Sequence, residues 1–89
     1  MKSRSRIVYL VLDVLKPHEP PLTDLALRLS EIKGVKKADV SLVEIDEKTS
    51  SLKVVLEGRG FDLETVDKSI QQLGAAVHSV DQVIAEAAE

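Results

Sequence analysis

The chain has 89 residues and a mass of 9.7 kDa, enough for one domain, so residues 1–89 are read as a single unit. Hydrophobic residues make up 44% and charged residues 30%, which is too apolar for a disordered chain, and zero cysteines exclude a disulfide scaffold, thiolate metal sites and a cysteine nucleophile. The formal net charge of −3 leaves no basic excess to neutralise a phosphate backbone, so nucleic acid is not an expected partner.

Arg6 to Leu15 is predicted as a strand, because Ile7 to Leu12 are apolar without a break and rich in β-branched residues. A run of that kind suits a central strand. It is also far shorter than the ~20 residues that cross a bilayer, so a cytoplasmic protein without a membrane partner is expected. Lys16-Pro17-His18-Glu19-Pro20-Pro21 follows as a stiff loop, since proline cannot donate to a ladder. From Pro21 to Lys33 the apolar positions Leu22, Leu25, Ala26, Leu29 and Ile32 step by three and four, which predicts a helix closed by Gly34.

Val35 to Asp46 returns to strand periodicity, Glu47 to Ser50 reads as a turn, and Ser51 to Glu57 as the second arm of a hairpin. Gly58-Arg59-Gly60 is expected to break that arm. Asp62 then caps a second helix with Leu63, Val66, Ile70 and Leu73 on one face, Phe61 stapled against Val66, and Gly74 at its end. Ala76 to Ala85 is the last predicted strand.

The order β-α-β-β-α-β is that of a ferredoxin-like α+β domain. Right-handed crossovers then demand a four-stranded antiparallel sheet in the order 4-1-3-2, with two helices on one face. One end of such a sheet gathers Asp13, Lys16, His18, Glu19, Glu44, Asp46, Glu47 and His78, both histidines among them. Histidine with carboxylate is ligand chemistry for zinc or another divalent ion, and carboxylates alone suit calcium or magnesium. The spacing matches no closed metal motif, and a solvated acidic rim is the plain alternative, as is a histidine that pins the proline loop.

Val8, Leu10, Leu12, Val14, Val40, Leu42, Leu52, Val54 and Leu56 are expected beneath the helices. Ile7, Tyr9, Val11, Val43, Ile45 and Val55 are then left on the open face. A contiguous apolar patch of that kind marks an interface, and self-association is the economical reading. Lys33, Lys36, Lys37, Arg4, Arg6 and Arg59 gather at the opposite end, diluted by nearby acids, and read as a solvated face.

Catalysis finds little support. An RNA-recognition surface needs aromatic platforms on the central strands, where Tyr9 stands alone. Gly58-Arg59-Gly60 lacks the remaining residues of either nucleotide fingerprint. His78 and Ser79 are neighbours on a strand and point to opposite sides, so no triad follows, and the chain is read as a non-enzyme. A general base at His18 or His78 is the catalytic alternative.

Three stretches in this order and spacing, Val11-Leu12-Asp13-Val14-Leu15-Lys16-Pro17-His18-Glu19-Pro20, Val43-Glu44-Ile45-Asp46 and His78-Ser79-Val80-Asp81-Gln82-Val83, resemble the small archaeal proteins of the DUF211 family. The resemblance covers roughly residues 5 to 85. It implies a ferredoxin-like fold, an archaeal cytoplasmic source, ring-like homo-oligomers, no established biochemical activity, and divalent cations such as calcium as ligands. The matching positions Asp13, His18, Glu19, Glu44, Asp46, His78 and Asp81 are the candidate ligands it implies, with Asp13, His18 and His78 expected to lie closest together. Two readings therefore leave the sequence. One is a homo-oligomeric, ring-like module that binds calcium, zinc or a small ligand at its acidic, histidine-bearing end. The other is a purely structural assembly module that presents a surface to itself or to a further protein.

Overall fold

Leu10, Leu12 and Val14 stand on one side of the first strand, β1 (Arg6–Pro17), and all are fully buried. That period of two is what a strand with one face against a core requires. The computed structural model describes residues 5–87. After β1 come α1 (Leu22–Ser30), β2 (Val35–Ile45), β3 (Thr49–Phe61), α2 (Leu63–Gln72) and β4 (Ala76–Glu86). The strands form one sheet in the order β2-β3-β1-β4, every pairing antiparallel. This is the expected ferredoxin-like topology, with β1 and β3 central.

The core is a single cluster between the sheet and both helices, joining Leu10, Leu12, Leu52, Val54 and Leu56 to Leu25, Leu29, Val66 and Ile70. Among the described residues no helix is long and apolar enough to cross a membrane.

The helix ends follow local chemistry. Thr65 N–H donates to Asp62 Oδ1 at 2.7 Å, capping α2 and holding the Asp62 carboxyl below its ordinary range. At the other end Gly74, at φ +80°, donates to Gln71 O at 2.9 Å while Ala75 donates to Ile70 O at 3.1 Å. These two bonds are a Schellman closure. α1 is shorter than the predicted Pro21 to Lys33. It stops at Ser30, whose hydroxyl bonds back to Leu27 O at 2.7 Å, and Ile32 reaches the core from the turn beyond.

The Gly58-Arg59-Gly60 stretch does not break β3, which continues to Phe61. A Cβ on Gly34 would overlap Gly60 O, and one on Gly58 would overlap Gly34 O. Arg59 N–H donates to Gly34 O at 2.9 Å, so the glycines let the chain leaving α1 pass directly against β3. Opposite this crossing Ile7 pairs with Phe61 and Tyr9 with Glu57, leaving residues 58–60 against Val8.

That bulge corrects two assignments on β1. Ile7 faces the helices and packs on the core, opposite the buried Phe61, while Val8 lies within the irregularity and does not join the core cluster. An extra residue reverses which side each later side chain occupies. A second irregularity, between Leu42 and Glu44, does the same on β2. Ile45 pairs with Ser50, which pairs with Lys16, two residues after the buried Val14. Ile45 therefore belongs to the helix side and not to the open face. Leu42 does lie on the helix side, opposite Leu52, yet is 49% exposed at the sheet edge. Tyr9, Val11, Val43 and Val55 remain on the open side.

Candidate functional site

β1 runs two residues past its expected end at Leu15, which moves Asp13 into the middle of a central strand. Its lateral neighbours are Lys53 on β3 and Ser79 on β4. Asp13 thus does not close the strand beside the start of β4. It stands on the open face in a shallow concavity of about 340 Å³, whose lining includes Val11, Val43, Glu44, Lys53 and Asp81.

Each polar residue arrives there for a local reason. Glu44 follows the irregularity of β2, and Asp81 is the extra residue where β4 slips against Val11 and Leu12. Ser79 Oγ donates to Asp81 Oδ1 at 2.8 Å, which fixes that carboxylate on the open side. Three carboxylates and one ammonium therefore share a surface floored by Val11, which is buried. Oxygen donors of this kind suit hard cations, whereas zinc favours imidazole and thiolate.

Neither histidine lines the concavity. His18 Nε2 is 3.1 Å from Asp46 O, and because a carbonyl only accepts, that nitrogen carries the hydrogen. The bond ties the proline segment to the tip of the β2–β3 hairpin, where Asp46 N–H donates to Thr49 O at 2.7 Å. His78 is exposed on β4, as the extra residue where that strand slips against Asp13 and Val14. Glu19 is exposed and precedes Pro20 across a cis peptide bond. Of the candidate ligands, Asp13, Glu44 and Asp81 are brought to one concavity, and His18 meets only the backbone of Asp46. Among the described residues no three His, Cys, Asp or Glu side chains are grouped closely enough to hold a metal ion.

Lys16 has a role that its place in the polar end did not suggest. It is 4% exposed, and its ammonium donates to Pro17 O at 2.8 Å, His18 O at 3.2 Å and Pro20 O at 2.7 Å. A segment rich in proline has fewer N–H groups than carbonyls, so its oxygens need an outside donor. A lysine next to the prolines was the available signal.

Comparison with known proteins agrees with this architecture. An uncharacterized protein of Methanocaldococcus jannaschii, MJ0319, is 41% identical over 76 residues, covering 85% of this chain and 78% of that one. The DUF211 family, described as Uncharacterized ArCR, matches residues 8–88. With nearly the whole described fold inside that match, the chain belongs to the DUF211 family.

Proposed function

We propose that this protein is a self-assembling module, closing as a ring-like homo-oligomer, whose uncovered sheet face and sheet edges are buried between copies. One observation carries the reading. Among the described residues, six of the eight exposed large hydrophobic side chains sit on the two edge strands: Leu42, Val43 and Ile45 on β2, and Val80, Val83 and Ile84 on β4. They are 42–66% exposed, and apolar surface concentrated in this way marks an interface. The half-buried Tyr9 and Val55 extend it across the open side of the sheet.

A second reading, a divalent cation or small ligand held in the concavity that Asp13, Glu44 and Asp81 share, draws on that shared lining. These carboxylates are not grouped closely enough to hold an ion by themselves, and calcium takes about six to eight oxygens, so water or a neighbouring copy would supply most of the shell. Without such a ligand the module is purely structural.

Native mass spectrometry of chelator-treated protein, before and after calcium addition, tests both readings. A defined oligomer that Val43→Lys reduces to monomer supports the assembly, and a monomeric parent protein overturns it. Stoichiometric calcium that Asp13→Ala abolishes supports the cation site; no retained calcium overturns that reading alone.

A further inference from the structure

β2 and β4 are the two edges of the sheet, each 11 residues long, and among the described residues no strand pairs the outer backbone groups of either. Unpaired edges of this length are templates for another strand. The two edges run in opposite directions, because the three pairings between them are all antiparallel. A second copy set beside the first in the same orientation therefore brings its β4 antiparallel to β2 and continues the sheet without breaking its alternation. Resting on the self-assembly reading above, we infer that copies join head to tail, β2 of one to β4 of the next.

The side chains select a register. Ala38 and Val40 face the helices, opposite Leu56 and Val54, and Val83 and Ala85 do so opposite Leu10 and Ile7. Placing Val40 against Val83 of the next copy sets Ala38 against Ala85. Asp81, the extra residue between Val83 and Val80, then bulges from β4 so that Leu42 meets Val80. Beyond it Leu42 and Ile45, separated by the extra residue of β2, match Val80 and Val77, separated by the further extra residue His78, and Ile45 meets Val77 on the helix side. Val77 and Val80 line an apolar groove between β4 and α2 that these side chains would fill.

Charge agrees with the same register. Lys37 lies 3.9 Å from Glu57, and Glu86 lies 3.6 Å from Arg6, each pair at the same end of the sheet. Head-to-tail pairing places Lys37 against Glu86 and joins the pairs into a row of alternating sign. Two β4 edges about a two-fold axis would instead centre on Asp81 facing its own copy, a like-charge contact. Two β2 edges would set Lys36 against Glu44 acceptably, yet would stop at a dimer and leave Val80, Val83 and Ile84 bare. Only the head-to-tail arrangement covers both edges and repeats, closing as a ring if its rotation permits.

The absence of cysteine makes the test clean. Facing residues of an antiparallel pair have Cα atoms about 4.5–5.5 Å apart, within disulfide reach. Under mild oxidation the double variant Val40→Cys/Val83→Cys is expected to give a ladder of covalent multimers. Each single variant alone gives no cross-link, and an equal mixture of the two gives covalent dimer only. The pair Ala38→Cys/Ala85→Cys repeats the test one step along the strand, should the first pair disturb folding. Covalent dimer from Val83→Cys alone or Val40→Cys alone overturns the inference in favour of two-fold edge pairing. No cross-link from either pair, with the reduced variants still oligomeric by light scattering, overturns the edge mode and leaves self-assembly standing. A monomeric unsubstituted protein overturns self-assembly and the edge mode together.

Discussion

The ammonium of Lys16 donates to the carbonyl of Pro20 at 2.7 Å from a side chain that is almost wholly buried, so the lysine closes the proline segment onto the strand that precedes it. Lys16→Met keeps the stem and removes the donor from three carbonyls at once. Such a loss costs about 1–3 kcal/mol. Chemical denaturation checks the magnitude, and hydrogen exchange is expected to quicken at His18, Glu19 and Leu22; unchanged stability would show that water replaces the ammonium without loss.

Asp62 makes stability depend on acid. Its carboxyl is held low by the Thr65 N–H, so the folded state binds its proton less readily than the unfolded chain, whose value lies near 3.8. The contribution is fully present above the unfolded value and is lost as pH falls through the folded one. Asp62→Asn keeps a capping oxygen and is expected to flatten this acid-dependent loss, whereas Asp62→Ala lowers the melting temperature at neutral pH as well. Thermal melts of both variants between pH 2 and 7 decide.

Gly34 and Gly74 have positive φ in common but differ in their surroundings. A Cβ on Gly74 meets nothing within 4 Å, so Gly74→Ala carries only the left-handed backbone penalty, about 1–2 kcal/mol. A Cβ on Gly34 would overlap the carbonyl of Gly60, so Gly34→Ala must displace β3 and is expected to cost more, about 2–4 kcal/mol. Equal losses in urea unfolding would mean that the crossing of Gly34 over β3 yields easily.

Leucines on the same side of the sheet separate the core from the edge. Leu12→Ala empties a fully buried site and is expected to cost about 2–5 kcal/mol. Leu42→Ala, half exposed on β2, changes the stability of one chain by less than about 0.5 kcal/mol. Its effect belongs to assembly, read as weaker subunit association on dilution.

Much of this fold is legible in the period of its apolar residues. Leu10, Leu12 and Val14 alternate, Leu52, Val54 and Leu56 alternate opposite them, and Leu25 with Leu29 and Val66 with Ile70 repeat at helical spacing. The sides taken by Ile7 and Ile45 were not legible, because each depends on one extra residue that shows only in the pairing with a neighbouring strand. The surroundings of Asp13 were not legible for a related reason. Counting along β1 put Asp13 at an end, whereas its company is decided across the sheet by register, which brings in Lys53 and Asp81 and leaves both histidines out. For Gly58 and Gly60, the glycines announced an irregular backbone correctly but not that β3 would continue through it.

Between β3, which ends at Phe61, and α2, which begins at Leu63, only Asp62 intervenes. With Phe61 in the core and Asp62 bonded to Thr65, the junction is an elbow without slack, and α2 cannot swing unless the strand moves with it. The tip of the β2–β3 hairpin, exposed from Asp46 to Lys48, is built the other way. A foreign peptide spliced in after Glu47 would lengthen a surface turn and leave the layers in place, while the same splice at Asp62 would uncouple helix from sheet. Tags and reporters for following this protein therefore belong at the hairpin tip.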